Sequence, residues 1–325
     1  METISGLSNW LLQYRREDDG IAILRALSCD SSAVLPDELF GLPVTRLGDH
    51  ALAPGAPDTD GETLRITCGG EDGPWDNRGI RELRLPRPLR HIDDYAFLNL
   101  RAMRTLCLYD ALRSTGSCSF MNCRAFSRLE LTRVGSEQGP ALAGIVSALP
   151  QELDVTLHLP DGERMRLIFP EYAEHYTENH AAHLFVFNIV GAGYPYHNVF
   201  RSKRFSVQDY DALWPQFLAT EHEDGCALRL AWARLRWPHG LTEGARGQYA
   251  AYLAGRRTEA FSLVLSENDV EGLRLLLALG GAGRAELDAA LLEARTRRLT
   301  EATAILLEAR GHDADGAAKR FELPW

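Results

Sequence analysis

Three hydrophobic triplets between residues 80 and 132 recur at one constant spacing. They read Ile80-x-x-Leu83-x-Leu85, Met103-x-x-Leu106-x-Leu108 and Phe126-x-x-Leu129-x-Leu131, so that equivalent positions repeat at a constant interval, since 103 − 80 = 23 and 126 − 103 = 23. Phe97 with Phe120, and Asn99 with Asn122, keep the same separation. A fixed period of this size indicates a structural unit that stacks on copies of itself, because one such unit cannot bury its apolar face alone.

The last two apolar residues of each triplet lie two positions apart, which is the period of a β-strand. We therefore expect each strand to pair in parallel with the next, with the leucines on one side of the sheet. The residues between and beside them face outward on a mixed-charge strip. Stacked repeats commonly bind partners on such a face, although an ordinary solvated sheet surface is an equally weighted alternative. The predicted protein-binding residues are Glu82, Arg84, Thr105, Cys107, Arg128 and Glu130.

The repeat resembles the leucine-rich repeats of the BspA-like, or Treponema pallidum, type. That family's unit reads approximately L-x-x-L-x-L-P, then I-x-x-x-A-F, then x-x-C, and residues 83–86, 92–97 and 118–123 follow this pattern. Residues 12–23 resemble the family's opening hairpin and residues 34–52 its first unit, whereas residues 53–79 hold an extra loop with a predicted strand at residues 64–66. The resemblance implies a short leucine-rich repeat solenoid with parallel strands.

The length, charge and cysteine content of the chain limit the classes of protein to which it can belong. The chain has 325 residues, of which 45% are hydrophobic, which is enough for about two domains with substantial cores. Its formal net charge of −10 argues against a general nucleic-acid or anionic-membrane surface, although it allows a local basic patch, and we predict no nucleic-acid partner. The six cysteines include no C-x-x-C pair and are expected to be reduced structural thiols. We expect no membrane insertion and, since no signal peptide or transmembrane segment is seen, a cytoplasmic location.

The predicted fold class is mixed α/β, with four segments. A turn at residues 160–162 between alternating apolar residues predicts a hairpin, and Pro170 is expected to open a helix over residues 170–182. The apolar run at residues 184–189 fits a strand or a helix end.

The four predicted segments are residues 1–136, the leucine-rich repeats; residues 137–223, a small α/β module; residues 224–311, a helical array; and residues 312–325, a polar tail.

The helical array shows a weaker internal repeat. Residues 271–280 echo residues 302–311, with Leu276 aligned to Leu306 at an offset of 306 − 276 = 30. These helix pairs resemble ankyrin repeats, although the usual Thr-Pro-Leu-His opening is missing. The predicted helices cover residues 227–235, 242–253, 258–265, 270–279, 285–296 and 300–309.

The best candidate metal cluster is a group of three histidines, His175, His180 and His183, beside Glu174 and Glu178. On one helix, residues three or four apart share a face, and zinc accepts imidazole together with carboxylate. The spacing is not H-E-x-x-H, and a solvated polar helix face is the more ordinary explanation. Neither a G-x-S-x-G nucleophile motif nor a Walker or dinucleotide motif is present, so we predict no catalytic residue and no cofactor.

The leading hypothesis from these features is a non-catalytic interaction or scaffold protein, bacterial and cytoplasmic, whose partner is another protein. One alternative is a metal-dependent enzyme or metal-binding protein centred on residues 171–200. The other is a surface adhesin that is exported without a visible signal.

Overall fold

A computed structural model of the chain describes residues 2–70, 73–135, 139–179 and 184–318. The chain forms two compact units, Met1–His222 and Glu223–Trp325. The described strands lie in the first unit and are β1 Glu2–Ser5, β2 Trp10–Glu17, β3 Gly20–Leu27, β4 Ser32–Val34, β5 Glu38–Leu39, β6 Leu42–Leu47, β7 Glu62–Thr67, β8 Glu82–Arg84, β9 His91–Ile92, β10 Thr105–Tyr109, β11 Ser114–Thr115, β12 Arg128–Thr132, β13 Leu153–His158, β14 Arg164–Phe169, β15 Ala173–Asn179 and β16 Leu184–Val190. The described helices are α1 Ala141–Val146, α2 Tyr194–His197, α3 Val207–Ala212, α4 Trp214–Ala219, α5 Asp224–Arg236, α6 Glu243–Ala254, α7 Arg257–Ser266, α8 Val270–Ala278, α9 Arg284–Thr296 and α10 Thr300–Ala318.

The three repeat strands lie side by side in parallel, which confirms the pairing predicted from the constant spacing of the triplets. β10 pairs with β8 on one side and with β12 on the other, so that Leu106 lies opposite both Leu83 and Leu129. The same sheet continues through β4 and through the hairpin β13–β14, in the order β14-β13-β12-β10-β8-β4. We call these six strands the strand-face sheet.

One side of the strand-face sheet is apolar on every strand. Full burial of a leucine side chain contributes roughly 1.5–3 kcal/mol relative to exposure, so the rows of this side supply much of the stability of the repeat. The buried side chains, each at most 5% exposed, are Ala33, Leu83, Leu106, Leu129, Val155 and Leu167 in one row, and Leu85, Leu108, Leu131, Leu157 and Met165 in the other.

The segments that return the chain to the next strand stack in the same register. The rings of Phe97 and Phe120 are parallel-stacked with centroids 4.9 Å apart. The side-chain amide of Asn122 donates a hydrogen bond to the Asn99 oxygen at 2.9 Å. Both asparagines have positive φ angles, 64° and 62°, in the left-handed region that Asn tolerates better than most residues. The repeat therefore constrains the turns as well as the strands.

A second, eight-stranded sheet holds the opening hairpin and the short strands of the return segments. β2 and β3 form the predicted antiparallel hairpin, and β3 then pairs in parallel with β6. The extra loop at residues 53–79 contains the predicted strand as β7, which pairs with β2. Trp10 of β2 is fully buried, and its indole N–H donates to the Val34 carbonyl of β4 at 2.8 Å, which ties this sheet to the strand-face sheet.

After residue 139 the chain extends the strand-face sheet before it leaves it. The predicted hairpin is present as β13 and β14, and β13 pairs in parallel with β12. Strands from both sides of the predicted boundary between residues 136 and 137 thus belong to one sheet. The division into the segments 1–136, 137–223, 224–311 and 312–325 stays a prediction.

The helix predicted over residues 170–182 is wrong. Residues Ala173–Asn179 form the strand β15, which pairs in antiparallel fashion with β16. The segment of β16 is rich in aromatic and β-branched residues, which favour strands. β16 therefore supplies a pairing partner for β15, whereas a helix over residues 170–182 would have had no apolar stripe to bury.

At the β14 edge of the strand-face sheet, a tyrosine hydroxyl forms hydrogen bonds with the backbone. The hydroxyl of the buried Tyr210 in α3 donates to the Ile168 carbonyl of β14 at 2.6 Å and accepts from the Ile168 N–H at 3.1 Å. β14 is the terminal strand of the sheet, so Tyr210 pairs backbone groups that have no neighbouring strand.

The second unit is helical, and the six helices described in it start within three residues of the predicted positions. The Asp269 carboxylate caps α8 by accepting from the Gly272 N–H at 2.9 Å, and Gly280 follows the helix with a φ of 74°. α10 continues past the predicted end at residue 309 to Ala318 and includes Gly311 and Gly316; each glycine costs a helix only about 1 kcal/mol relative to alanine. No helix in the described part of the chain is long and apolar enough to cross a bilayer.

Shortening a repeat leucine should destabilise the first unit. Leu106→Ala leaves a cavity between two flanking leucines, and we expect a loss of roughly 2–5 kcal/mol in the free energy of unfolding. Urea denaturation followed by circular dichroism measures the change. Leu7→Ala is the matched control, since Leu7 is 80% exposed and its truncation should cost less than about 0.5 kcal/mol.

Removing the Tyr210 hydroxyl should also destabilise this unit. Tyr210→Phe keeps the ring but leaves the N–H and carbonyl of Ile168 without that partner. We expect a loss of about 1–3 kcal/mol in the same measurement. Unchanged stability would show that water replaces the hydroxyl at this edge.

Candidate binding groove on the strand face

The outward side of the strand-face sheet forms a groove of about 480 Å³. All six residues predicted from the alternation line it, so the structure brings together residues from three different repeats. We call it the strand-face groove. Its lining residues are Glu82, Arg84, Thr105, Cys107, Leu108, Tyr109, Arg128, Glu130, Thr132 and His158.

The groove exists because the middle strand carries small side chains where its neighbours carry long ones. Thr105 lies between Glu82 and Arg128 in the ladder. Cys107 lies in the same way between Arg84 and Glu130. Neighbouring strands are about 4.8 Å apart, so the two charged rims stand about 10 Å apart across a floor of threonine and cysteine.

Each rim of the groove carries both signs of charge. Glu82 precedes Arg84 on β8, whereas Arg128 precedes Glu130 on β12, so like charges lie diagonally across the floor. Arg84 and Arg128 are exposed, and neither forms an ion pair with a residue in the described ranges. The groove therefore offers two guanidinium groups for carboxylates or carbonyls of a ligand, and guanidinium pairs with carboxylates in bidentate geometry.

Glu130 is held in place from the far side of the groove. Its Oε2 lies 2.7 Å from Nε2 of His158, which stands on β13, the next strand along. A hydrogen bond of this length restricts the Glu130 side chain, and a restricted side chain loses less rotamer entropy when a ligand binds. His158 is thus a supporting residue of the rim.

Cys107 is the one predicted residue whose setting differs from expectation. The alternation predicts an outward side chain, and it does line the groove, but the residue is only 8% exposed. Burial raises the pKa of its thiol to about 11, an effect that nearby Arg84 partly offsets. The thiol is therefore protonated at neutral pH and serves as an apolar floor, because the thiolate is the reactive form.

The outward alternation continues one position beyond the predicted residues on β10 and β12. Tyr109 and Thr132 continue the outward alternation, and their separation equals the period of the triplets, which is the signal that would have found them. His158 lies opposite Thr132 in the ladder, but its offset along the chain is 158 − 132 = 26 instead of 132 − 109 = 23. This longer offset places it outside the period.

The described members of the predicted histidine cluster lie on a strand and not on the predicted helix. His175 is exposed on β15, in a strand whose period is two, so the helical spacing of Glu174 with Glu178 does not apply. His180 and His183 lie outside the described residues. A cavity of about 200 Å³ beside Gly191 and Tyr194 is lined by apolar, aromatic, amide and hydroxyl groups, which are poor zinc ligands.

Comparison with known proteins gives one partial likeness. No protein-family model matches the chain, and the search of curated proteins returned no match. A crystal structure of a T. pallidum leucine-rich repeat protein matches 37% of this chain and 68% of its own, at 23% sequence identity and a TM-score of 0.17. A likeness at this level carries no functional argument.

The cysteines should separate into two classes by alkylation. Cys68 and Cys118 are exposed, whereas burial raises the pKa of Cys107 to about 11 and that of Cys123 to about 12. With iodoacetamide at neutral pH, we expect the exposed pair to be modified and the buried pair to remain free, since under about 0.1% of each buried thiol is ionised. Peptide mass spectrometry reads the result, and alkylation in guanidinium chloride is the control. Modification of Cys107 in the native protein would contradict its place in the floor.

Proposed function

We propose that this chain is a non-catalytic protein-interaction module built on leucine-rich repeats of the BspA-like type, and that the strand-face groove holds an extended segment of a partner protein. The observation that carries the proposal is the register of β8, β10 and β12, which places charged rims on both sides of a small-residue floor. Nothing in the repeat's core requires charged residues at these outward positions.

The composition of the groove suits protein binding. Arginine and tyrosine are enriched among residues that dominate binding energy, and the groove contains Arg84, Arg128 and Tyr109. Tyr109 is already held by a cation–π contact with Arg87, whose guanidinium carbon lies 5.8 Å from the ring centroid. Because the backbone of the sheet is already ordered, binding pays for fixing these side chains but not for ordering a loop.

The same groups fit a non-catalytic role better than a catalytic one. The thiol of Cys107 is protonated at neutral pH, because burial raises its pKa, and the ring nitrogen of His158 is hydrogen-bonded to Glu130 at 2.7 Å. A cysteine nucleophile would need an adjacent base that lowers its pKa, and here the pKa moves the other way.

We extend the proposal to the helical unit, which would act as a second scaffold of stacked, ankyrin-like helix pairs. α7 with α8, and α9 with α10, are consecutive helix pairs, and the first residues of α8 and α10 are Val270 and Thr300, which matches the offset of the sequence repeat. α9 packs against both α7 and α10, as stacking of successive pairs requires.

The test is affinity capture with the whole chain as bait, from lysate of the organism that encodes it. The groove variant combines Arg84→Ala, Arg128→Ala and Glu130→Ala. We expect captured partners to fall by at least about tenfold, because truncated hot-spot residues each cost more than about 1 kcal/mol. Quantitative mass spectrometry of the eluates measures the change.

The control variant combines Arg15→Ala, Arg113→Ala and Glu38→Ala, three exposed residues outside the groove lining. It removes the same charges as the groove variant and should leave the captured proteins unchanged. Circular dichroism melting of both variants establishes that each is folded. If the groove variant captures the same proteins in the same amounts, the groove is not the binding surface.

A further inference from the structure

A second periodic surface lies on the turns that precede the repeat strands. Arg78, Arg101 and Arg124 recur at the same interval as the triplets. Each occupies the second position of an equivalent turn, and each turn is closed by a hydrogen bond from the N–H of its fourth residue to the carbonyl of its first. These bonds run from Ile80 to Asn77 at 3.2 Å, from Met103 to Leu100 at 3.2 Å and from Phe126 to Cys123 at 3.1 Å.

A shorter row of arginines stands beside the first. Arg81 and Arg104 directly precede β8 and β10, and the Arg104 N–H donates to the Arg81 carbonyl at 2.7 Å. We call each repeat strand with the turn before it a rung. The two rows of arginines therefore follow the same rungs as the strands, which are about 4.8 Å apart. We call the five residues of both rows the arginine stripe: Arg78, Arg81, Arg101, Arg104 and Arg124.

The arginine stripe is exposed, and one of its members has an ion-pair partner among the described residues. Arg78 has a side chain that is 73% exposed and pairs with Asp76 at 3.3 Å. The other four are exposed and form no ion pair with any residue of the described ranges. Like charges on adjacent rungs repel each other, so an anion that bridges them would relieve a cost that the free protein bears.

The charge of this stretch opposes that of the chain around it. Residues 78–133 contain 11 Arg and no Lys against 5 Asp and Glu, so their formal charge is 11 − 5 = +6. The remaining residues contain 35 − 11 = 24 basic and 45 − 5 = 40 acidic side chains, a charge of −16. The basic stretch is thus a local feature of an acidic protein.

We propose that the arginine stripe binds a short acidic segment, a run of aspartate or glutamate residues, on a partner protein. Three rungs span about 10 Å, which is the length of three or four residues of an extended peptide at about 3.3 Å each. Guanidinium groups pair with carboxylates in bidentate geometry. The proposal goes beyond the groove, since it concerns a separate surface and stands whether or not the groove binds a partner.

The length of the arginine stripe favours an acidic peptide over a longer polyanion. A nucleic acid or a sulfated polysaccharide would extend beyond the three turns of the stripe, and the residues outside 78–133 carry a formal charge of −16. The Debye length at physiological ionic strength is about 8 Å, so attraction to the stripe is felt over its own length and little further. A short run of carboxylates matches this range.

The test measures fluorescence anisotropy of a fluorescein-labelled hexaglutamate peptide titrated with the whole chain, with labelled hexaglutamine as the neutral control. Titrations are made at about 50 mM and about 300 mM NaCl, because ion pairs at a surface weaken with salt. The stripe variant combines Arg78→Gln, Arg101→Gln and Arg124→Gln. The control variant combines Arg15→Gln, Arg113→Gln and Arg295→Gln, which are exposed arginines outside the stripe and change the net charge equally.

We expect the native chain to bind hexaglutamate and not hexaglutamine, with an affinity that falls as salt is added. The stripe variant should bind about tenfold more weakly, as the loss of three exposed ion pairs implies, and the control variant should stay within about twofold. Replacing the same three arginines by lysine should retain most of the affinity, because the charge remains.

Three results would overturn the proposal. The first is no salt-dependent binding of hexaglutamate by the native chain. The second is an equal loss in the stripe and control variants, which would reflect overall charge alone. The third is tighter, stripe-dependent binding of an RNA hexamer or a heparin hexasaccharide, which would assign the surface to another class of polyanion.

Discussion

The in-register parallel pairing of β8, β10 and β12 is the interaction on which the rest of the first unit depends. Each rung hydrogen-bonds to the next through its backbone and lays one leucine on another, so that Leu83, Leu106 and Leu129 form a continuous buried row. Neither contribution is available to one repeat alone. One period of the sequence is the length of chain that closes one circuit and returns the backbone to the same position on the next rung.

This register organises the exposed surface as strictly as the core. Once equivalent residues are stacked, whatever stands at one outward position is repeated beside its counterpart at about 4.8 Å. The strand-face groove arises where the repeated position changes from long side chains to Thr105 and Cys107 and back again. The arginine stripe arises where the position does not change. One backbone arrangement thus produces a depression with both signs of charge and a band with a single sign.

A stack of parallel strands has two open edges, and different elements of the chain pack at each of them. At one edge the repeat passes through β13 into an antiparallel hairpin, whose outer strand is bonded by the hydroxyl of Tyr210. Near the other, Trp10 bonds the Val34 carbonyl and fastens the opening hairpin to the terminal strand β4. Both devices place a large aromatic residue in the core and use its polar atom on the backbone, which protects sheet edges that would otherwise pair with other chains.

The sequence by itself determined the features that depend on short-range periodicity. The alternation within a strand and the constant interval between strands were sufficient to predict the parallel ladder, its buried leucines and the six outward residues, since both follow from backbone geometry. Only the tertiary structure decided the remainder. Residues 173–179 are a strand because residues 184–190 pair with them, and Cys107 is buried because its neighbours on both sides are long. His158 reaches the groove through a ladder offset that departs from the period. In each case the deciding contact joins residues that no local pattern connects, which is why the pattern could not supply it.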